Sequence, residues 1–151
     1  MTLKKGNIFE ATITDLAFGG RGLVRIDNMA VFVDPTVPGD VVKARVFKKK
    51  RNYAEARVVE LLMPSADRVA PPCPYSGWCG GCKSQFLRYD KQLEYKRHQV
   101  ADALAHIGTM KDIPVHPVIS SQHIFGYRNK MEFSCSDRRW LLPEEMDSDV
   151  I

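Results

Sequence analysis

The stretch VVKARVFKKKRNYAEARVVELL, residues 41–62, decides how the first part of the chain folds. Small apolar residues at 42, 44 and 46 alternate with Lys43, Arg45 and Phe47. A period of two is typical of a half-buried strand. The basic run at 48–51 predicts a turn, and residues 53–62 predict a returning strand. We therefore expect a pair of strands with one apolar face and one face rich in cations.

Three more strand-length segments precede this pair, at residues 7–16, 23–26 and 29–33, with Gly- or Pro-containing turns between them. Short runs at this spacing favour a small closed sheet over βαβ units. Five strands in roughly 55 residues fit a barrel of the OB type. Closure would also remove the exposed edges that make a short sheet prone to aggregation. The prediction is a mainly β chain with a five-stranded OB-like barrel over residues 1–62.

The composition excludes several classes of protein. The chain has 151 residues, of which 44% are hydrophobic and 26% charged, and this balance is typical of globular proteins. No run approaches the ~20 apolar residues of a membrane helix, and the N-terminus lacks the apolar core of a secretory signal. We expect a cytoplasmic protein, without a membrane partner and monomeric.

The excess positive charge lies in the first part of the chain. Residues 1–62 contain 11 basic and 7 acidic side chains, a difference of +4 that equals the net charge of the whole chain. Cations near exposed rings suit a nucleic-acid strand, because cations pair with phosphates and rings stack on bases. A solvated basic face that aids solubility is the alternative. The candidate RNA-binding residues here are Arg21, Lys43, Arg45, Lys48, Lys49, Lys50 and Arg51, with rings from Phe18, Phe47 and Tyr53.

Five short fragments in a fixed order carry a first resemblance. They are ITDL at 13–16, GGRG at 19–22, FV at 32–33, VPGD at 37–40 and AEAR at 54–57. In this order and spacing the segment resembles a TRAM domain, an OB-like RNA-binding module that precedes several RNA-modifying enzymes. The resemblance implies RNA as the partner of the barrel.

Three cysteines follow the barrel with the spacing C-x5-C-x2-C, at Cys73, Cys79 and Cys82. Clustered cysteines without an export signal favour metal ligation over disulfides. Intervening glycines permit the tight turns that would let the thiolates converge. Zinc would need a fourth ligand and an iron–sulfur cluster would normally need a fourth cysteine, so the spacing leaves both open. The candidate fourth ligands are His98, His106 and Cys135.

A second resemblance covers nearly the whole chain. The TRAM-like segment, the cysteine motif, QFLRY at 85–89 and FGYRNKMEF at 125–133 follow one another in an order that resembles the RNA uracil-5-methyltransferase family, particularly its 23S ribosomal RNA branch. The resemblance implies that Cys73, Cys79 and Cys82 are three ligands of a [4Fe–4S] cluster, with zinc as the alternative. The family's fourth ligand lies beyond the last residue of this chain, and Cys135 does not match it. Ribosomal RNA is the implied partner, with transfer RNA as the alternative.

Residues 63–151 predict a partial α+β domain. Phe86, Tyr89, Leu93, Val100, Leu104 and Ile107 recur at helical spacing and predict an amphipathic helix over 85–107. Residues 115–119 and 127–136 predict strands. The second of these carries a mixture of side chains typical of contacts with single-stranded RNA, although solvated strand residues are the plainer interpretation. These candidates are Tyr127, Arg128, Asn129 and Lys130.

We predict no catalytic residue in this chain. The family takes its nucleophile and S-adenosylmethionine site from a Rossmann-like domain, and no Gly-rich strand–turn–helix of that kind occurs here. We therefore expect the RNA-binding and cluster-bearing N-terminal portion of such an enzyme, inactive by itself. The alternative is a small stand-alone RNA-binding chaperone or adaptor with a zinc or iron–sulfur knuckle.

Overall fold

A computed structural model describes residues 3–77, 79–130, 132 and 135–138. Within these residues the chain forms six strands and one helix, which confirms the mainly β class. The elements are β1 Ile8–Thr12, β2 Asp15–Ala17, β3 Arg21–Ile26, β4 Met29–Asp34, β5 Val41–Lys49, β6 Tyr53–Met63 and α1 Tyr89–His106. In the part of the chain described, no helix is both long enough and apolar enough to span a bilayer.

The six strands form one curled sheet in the order β1-β5-β6-β4-β3-β2. Neighbours are antiparallel except for β4 and β6, which are parallel. The two edge strands, β1 and β2, are consecutive in sequence. Between them, the Ile13 N–H donates to the Asp40 carbonyl at 2.8 Å and the Thr14 N–H donates to the Leu23 carbonyl at 3.0 Å. One segment thus bridges both edges, but β1 and β2 do not pair with each other, so the OB-like sheet is a curled half-barrel and not the fully closed barrel that the sequence predicts.

The strand count is six rather than five because the predicted strand at 7–16 is divided. Its first half pairs with β5 and its second half with β3, on opposite edges of the sheet. A straight strand cannot follow both partners, so the chain bends at Ile13, whose side chain is buried. The predicted strand pair at 41–62 is present as the antiparallel β5 and β6.

The interior of the sheet follows the predicted alternation. Val42, Ala44 and Val46 of β5 are fully buried, and Ala54 and Ala56 of β6 face them. Small side chains fill the narrow interior of a small barrel, whereas larger ones would overpack it. Each buried valine contributes about 1.5–3 kcal/mol relative to an exposed one. The intervening side chains point to the opposite, outer face.

The chain after β6 returns along the barrel before the helix begins. The Val69 N–H donates to the Phe86 carbonyl at 2.7 Å, and Leu87 is buried against Leu16 and Val37 of the barrel. This return explains why α1 begins at Tyr89 and not at residue 85 as predicted. The backbone at 86–88 pairs with the segment at 67–69 and so does not adopt the helical hydrogen-bond pattern.

The predicted apolar stripe of the helix is wrong in part. Tyr95 packs against the Leu16 cluster, and the Gln99 side-chain amide donates to the Leu16 carbonyl at 3.0 Å. Val100 and Ile107 are exposed, the latter at 85%. Tyr95 and Gln99 are not members of the predicted stripe, so the barrel contacts a different face of the helix from the one that the period indicated.

The strand predicted at 115–119 is not formed, and none of the described residues of 127–136 is in a strand; positions 131, 133 and 134 lie outside the described residues. A strand requires a ladder with a neighbour, and no strand of the described chain pairs with either segment. Side chains of α1 hold this region instead. The Arg97 guanidinium donates to the Val115 carbonyl at 2.8 Å, and the Ser121 N–H donates to the Tyr89 hydroxyl at 2.8 Å.

Candidate nucleic-acid interface

The outer face of the barrel is the surface formed by the outward side chains of β4, β5 and β6 and by the first residue of β3. On β6, the outward residues Tyr53, Glu55 and Arg57 alternate with the buried alanines. The register places Phe32 of β4 beside Glu55, and Lys48 of β5 on the other side of the same residue. Glu55 is therefore the centre of this face.

Glu55 holds two of the predicted RNA-binding cations. Lys48 Nζ lies 2.7 Å from Glu55 Oε1, and Arg21 Nη2 lies 3.4 Å from Oε2, while Arg21 Nε lies 2.8 Å from Asp34 Oδ2. The Lys48 hydrogen bond, and to a smaller extent the charge of Arg21, holds the pKa of Glu55 below its ordinary value despite the opposing effect of burial. Arg21 and Lys48 are thus fixed in position and electrically compensated.

Two aromatic rings lie beside these cations. The rings of Phe32 and Tyr53 meet edge to face with centroids 5.9 Å apart. The Arg21 guanidinium carbon is 5.3 Å from the Phe32 centroid, and Lys48 Nζ is 6.0 Å from the Tyr53 centroid. Aromatic side chains between cations form a stacking surface for bases. Phe32 was not among the predicted rings, although its alternation with the buried Val31 and Val33 places it outward.

The remaining predicted cations of the barrel fall into two groups. Lys43 lies 3.2 Å from Glu60 and 3.7 Å from Glu10, and chiefly the Glu60 hydrogen bond raises the pKa of Lys43. Lys49 Nζ donates to the Lys50 carbonyl at 2.9 Å. Lys43 is thus the compensated cation of this set. The second group has no carboxylate in ion-pair distance within the described chain, and it consists of Arg45, Lys49, Lys50 and Arg51.

Arg57 is a further cation of the outer face that sequence reasoning missed. It is exposed on β6, directly opposite Arg45 of β5, and its guanidinium carbon lies 5.7 Å from the centroid of Phe47. Its alternation with Ala56 was a usable signal, because that pattern places residue 57 on the same face as the lysines of β5. The other predicted ring, Phe18, is 89% exposed in the turn between β2 and β3.

The second predicted RNA-binding segment lies beside the cysteine loop. Arg128 and Lys130 line a cleft of about 480 Å³ together with Gly80, Gly81 and Glu132. Tyr127 is 73% exposed, and Asn129 is exposed as well. The structure thus brings this segment and the cysteine loop together, while the contact of these residues with RNA stays a prediction.

The three clustered cysteines occupy a loop of tight turns. The Cys79 N–H donates to the Tyr75 carbonyl at 2.9 Å, and Gly77 has a positive φ of 88°. All three thiols are free; Cys73 is half-buried, and Cys79 and Cys82 are exposed. Across the described ranges, no three His, Cys, Asp or Glu side chains are grouped closely enough to share a metal ion. The thiols suit a soft metal or an iron–sulfur cluster chemically, but this geometry does not gather them around one point.

The candidate fourth ligands are not near a common centre either. His98 and His106 lie on α1, where His106 Nδ1 is 3.0 Å from the Asp102 carbonyl, and Cys135 is exposed. Between Cys73 and Cys79, the hydroxyl of Ser76 is buried without a hydrogen-bond partner in the described part of the chain. Polar groups near the sulfurs are among the features that adjust such centres. The metal assignment therefore remains a prediction.

Comparison with known proteins agrees with the geometry of the outer face. The family model described as the TRAM domain matches residues 3–59. Two curated relatives named as uncharacterized RNA methyltransferases are each 46% identical to this chain. The one from Chlorobaculum tepidum matches over 98% of this chain and 31% of its own length, and the one from Porphyromonas gingivalis over 89% and 29%.

A solved structure also matches, the Pyrococcus abyssi tRNA (uracil-54, C5)-methyltransferase in complex with S-adenosyl-L-homocysteine. It is 29% identical, with 64% of this chain and 21% of that chain covered and a TM-score of 0.46. The match to the family model shows that residues 3–59 form a TRAM domain, a nucleic-acid-binding module. The chain is similar to the two curated RNA methyltransferases and spans about three tenths of their length.

Proposed function

We propose that this chain is the RNA-binding, N-terminal part of an S-adenosylmethionine-dependent RNA uracil-5-methyltransferase that modifies ribosomal RNA. The observation that carries the proposal is the outer face of the TRAM domain, where two rings and several cations lie on adjacent strands. Curved sheets with rings and cations are suited to single strands, whose bases are free to stack. Uracil-5 as the target, and ribosomal rather than transfer RNA, rest on the motifs at 73–82 and 125–133.

The outer face would hold the RNA while the reaction takes place elsewhere in the full-length enzyme. Arg21 and Lys48 keep a fixed position through Glu55, so they lose little conformational freedom when a strand binds. The rings of Phe32 and Tyr53 offer a stacking surface for bases without selecting a sequence. Selection of one nucleotide would then depend on the rest of the protein. We expect the enzyme in the cytoplasm, as a monomer.

The cysteine loop would hold a [4Fe–4S] cluster through Cys73, Cys79 and Cys82, and zinc is the alternative. The three thiols lie within one loop of turns, beside the cleft lined by Arg128 and Lys130. A bound cluster would supply a rigid anchor, because each metal–thiolate bond closes one part of the loop. In the proposal, these cations contact RNA next to that anchor.

Exposed apolar residues favour the interpretation that this chain is part of a larger protein over the interpretation that it is a stand-alone adaptor. Ile107 is 85% exposed, Ile119 is 94% exposed and Tyr127 is 73% exposed. All three follow the helix in sequence, and large apolar side chains left in water are typical of a surface that another part of a protein covers. The adaptor interpretation would require these residues to remain in water.

Two measurements test the proposal. The intact mass of the native gene product should be far above 17.1 kDa, and a mass equal to that of this chain would favour the adaptor. The full-length product, incubated with S-adenosylmethionine and either ribosomal or transfer RNA, should form 5-methyluridine in ribosomal RNA. Formation only in transfer RNA would overturn the ribosomal assignment, and methylation at another atom would overturn the uracil-5 assignment. The 151-residue chain should bind single-stranded RNA and transfer no methyl group.

A further inference from the structure

We propose that Arg45, Phe47 and Arg57 form a binding site for one nucleotide of single-stranded RNA. The two guanidinium groups would bind a backbone phosphate, and the ring would stack on the attached base. The proposal rests on the RNA-binding function proposed above and specifies where on the outer face a strand is held. It does not involve the Glu55 centre or the basic turn.

The first observation is a pair of like charges directly opposite each other. Arg45 of β5 and Arg57 of β6 are Cα partners in the antiparallel ladder, and both are exposed. Like charges at opposed positions destabilise a sheet. Residues that oppose stability in this way occur at functional sites, where a bound partner relieves the conflict. An anion between the two guanidinium groups would do so.

The second observation is the distribution of carboxylates on the same face. Arg21, Lys43 and Lys48 each have an acidic partner within 4.0 Å. Within the residues that the structure describes, neither Arg45 nor Arg57 has one, although Asp34 is the Cα partner of Arg57 on β4. Asp34 is paired with Arg21 instead. Arg45 and Arg57 are therefore adjacent cations in the middle of the sheet, and neither has a carboxylate in ion-pair distance among the described residues.

The third observation is a β-bulge that places a ring beside the pair. Val46 is opposite Ala56 and Lys48 is opposite Glu55, so Phe47 is the extra residue between two register positions. Bulges of this kind redirect a side chain and often occur near functional sites. Phe47 is 40% exposed, and the Arg57 guanidinium lies 5.7 Å from its centroid. The ring is held by a cation and open to a base.

The chemistry of these three side chains favours RNA over other polyanions. A guanidinium presents a planar fork of donors that matches two phosphate oxygens, which an ammonium cannot do. Phosphate alone could come from inorganic polyphosphate as well as from RNA. An aromatic ring adds affinity only for a ligand with bases, so the contribution of Phe47 distinguishes the two sources.

The test uses the 151-residue chain and a fluorescently labelled, unstructured oligoribonucleotide. The dissociation constant of the complex between the chain and the oligoribonucleotide is measured by fluorescence anisotropy across a range of KCl concentrations. The variants are Arg45→Gln, Arg57→Gln and Phe47→Leu, with Arg25→Gln as the matched control. Arg25 is an exposed arginine of β3 without an acidic partner among the described residues, so its replacement changes the net charge equally.

We expect Arg45→Gln and Arg57→Gln each to flatten the log–log salt dependence, and the double variant to flatten it by about 0.7 in total, because the two guanidinium groups share one phosphate. Phe47→Leu should weaken RNA binding at least about fivefold, with the salt dependence and the binding of inorganic polyphosphate unchanged. Arg25→Gln should bind like the parent chain. The midpoint of thermal unfolding of Arg57→Gln should equal or exceed that of the parent, because the like-charge pair is removed.

The outcomes separate the two proposals. If both arginine variants behave like Arg25→Gln while the parent chain binds RNA, the site is wrong and the RNA-binding function stands. If Phe47→Leu binds RNA like the parent, the surface is a general polyanion site and the nucleotide site is wrong. If the parent binds no RNA at all, both proposals are overturned.

Discussion

Arg68 forms a bidentate ion pair with the buried carboxylate of Asp40. It lies five residues after the end of β6. Arg68 Nη2 donates to Asp40 Oδ2 at 2.6 Å, and Nε donates to Oδ1 at 3.0 Å. The same carboxylate accepts the backbone N–H groups of Val37 at 2.8 Å and Ser65 at 2.9 Å. The Arg68 guanidinium carbon also lies 5.0 Å from the centroid of the Phe86 ring. Asp40 therefore joins the loop before β5 to the segment that leads to the helix.

Asp40→Ala should lower the free energy of unfolding by about 3–5 kcal/mol, because it leaves the Arg68 charge without its buried partner. Two backbone N–H groups would also be left without their acceptor. Urea unfolding followed by circular dichroism measures this destabilisation. Asp90→Asn is the control, since Asp90 is an exposed carboxylate that pairs with Arg88. Equal unfolding midpoints for the two variants would contradict this role of Asp40.

Gly22→Ala should destabilise the barrel by about 1–3 kcal/mol through overpacking. A Cβ at residue 22 would collide with Thr36 Oγ1 and lie 3.0 Å from Ile13 Cγ2. Thr36 cannot turn away freely, because its buried hydroxyl donates to the Val33 carbonyl at 2.8 Å. Thermal unfolding measures the effect. Gly80→Ala should leave the midpoint unchanged, because a Cβ there meets no atom within 4 Å.

Glu55→Gln should alter the stability of the chain most at neutral pH. The pKa of Glu55 is lowered below its ordinary value of 4.5, chiefly by the Lys48 hydrogen bond. A carboxyl group with a lowered pKa contributes stability that is complete above its unfolded pKa and disappears as the pH falls through its folded pKa. Urea midpoints of the parent and of Glu55→Gln should therefore differ at neutral pH and converge as the pH falls below 4.5. A difference that is independent of pH would show that the Glu55 ion pairs do not act in this way.

The basic run at 48–51, whose first two residues are the end of β5, supplies a separate prediction about RNA binding. Neutralising all four of its cations should weaken binding and flatten the log–log salt dependence by about 0.7 per phosphate contact. We expect most of this effect from the double variant Lys50→Gln with Arg51→Gln. The reason is that Lys48 is paired with Glu55, and the Lys49 ammonium donates to the Lys50 carbonyl. Lys43→Gln is the comparison, since Glu60 and Glu10 already compensate Lys43. A larger change in Lys43→Gln than in the double variant would overturn this assignment.

Cys79→Ser should abolish binding of the metal centre. The full-length protein, reconstituted anaerobically with ferrous iron and sulfide, should hold iron and acid-labile sulfide in equal amounts, and the variant should hold neither. Cys135→Ser is the control, because Cys135 is exposed and outside the loop of the other three thiols. Zinc in place of iron in the native protein would assign the alternative metal. Full metal content in Cys79→Ser would contradict a shared site.

Several features could be predicted from the sequence because they depend on neighbouring residues. The alternation in β5 and β6 appears with period two, since each inward side chain must be apolar whatever the partner strand is. The spacing of Cys73, Cys79 and Cys82 is likewise local, whereas the turn predicted at 48–51 begins later, because Lys48 and Lys49 still pair with β6. The order of the TRAM-like fragments was sufficient to indicate the TRAM domain, which the family model then matched over residues 3–59.

Other features were decided only by the tertiary structure. Arg21 is compensated by Asp34 and Glu55, residues 13 and 34 positions away, and Arg45 meets Arg57 through the register of β5 with β6. The bend at Ile13 and the late start of α1 follow from partners elsewhere in the barrel. A local pattern shows which face a side chain occupies, because that depends on backbone geometry. Whether a cation on that face is free or paired depends on which strands become neighbours, and this is determined by the folding of the whole sheet.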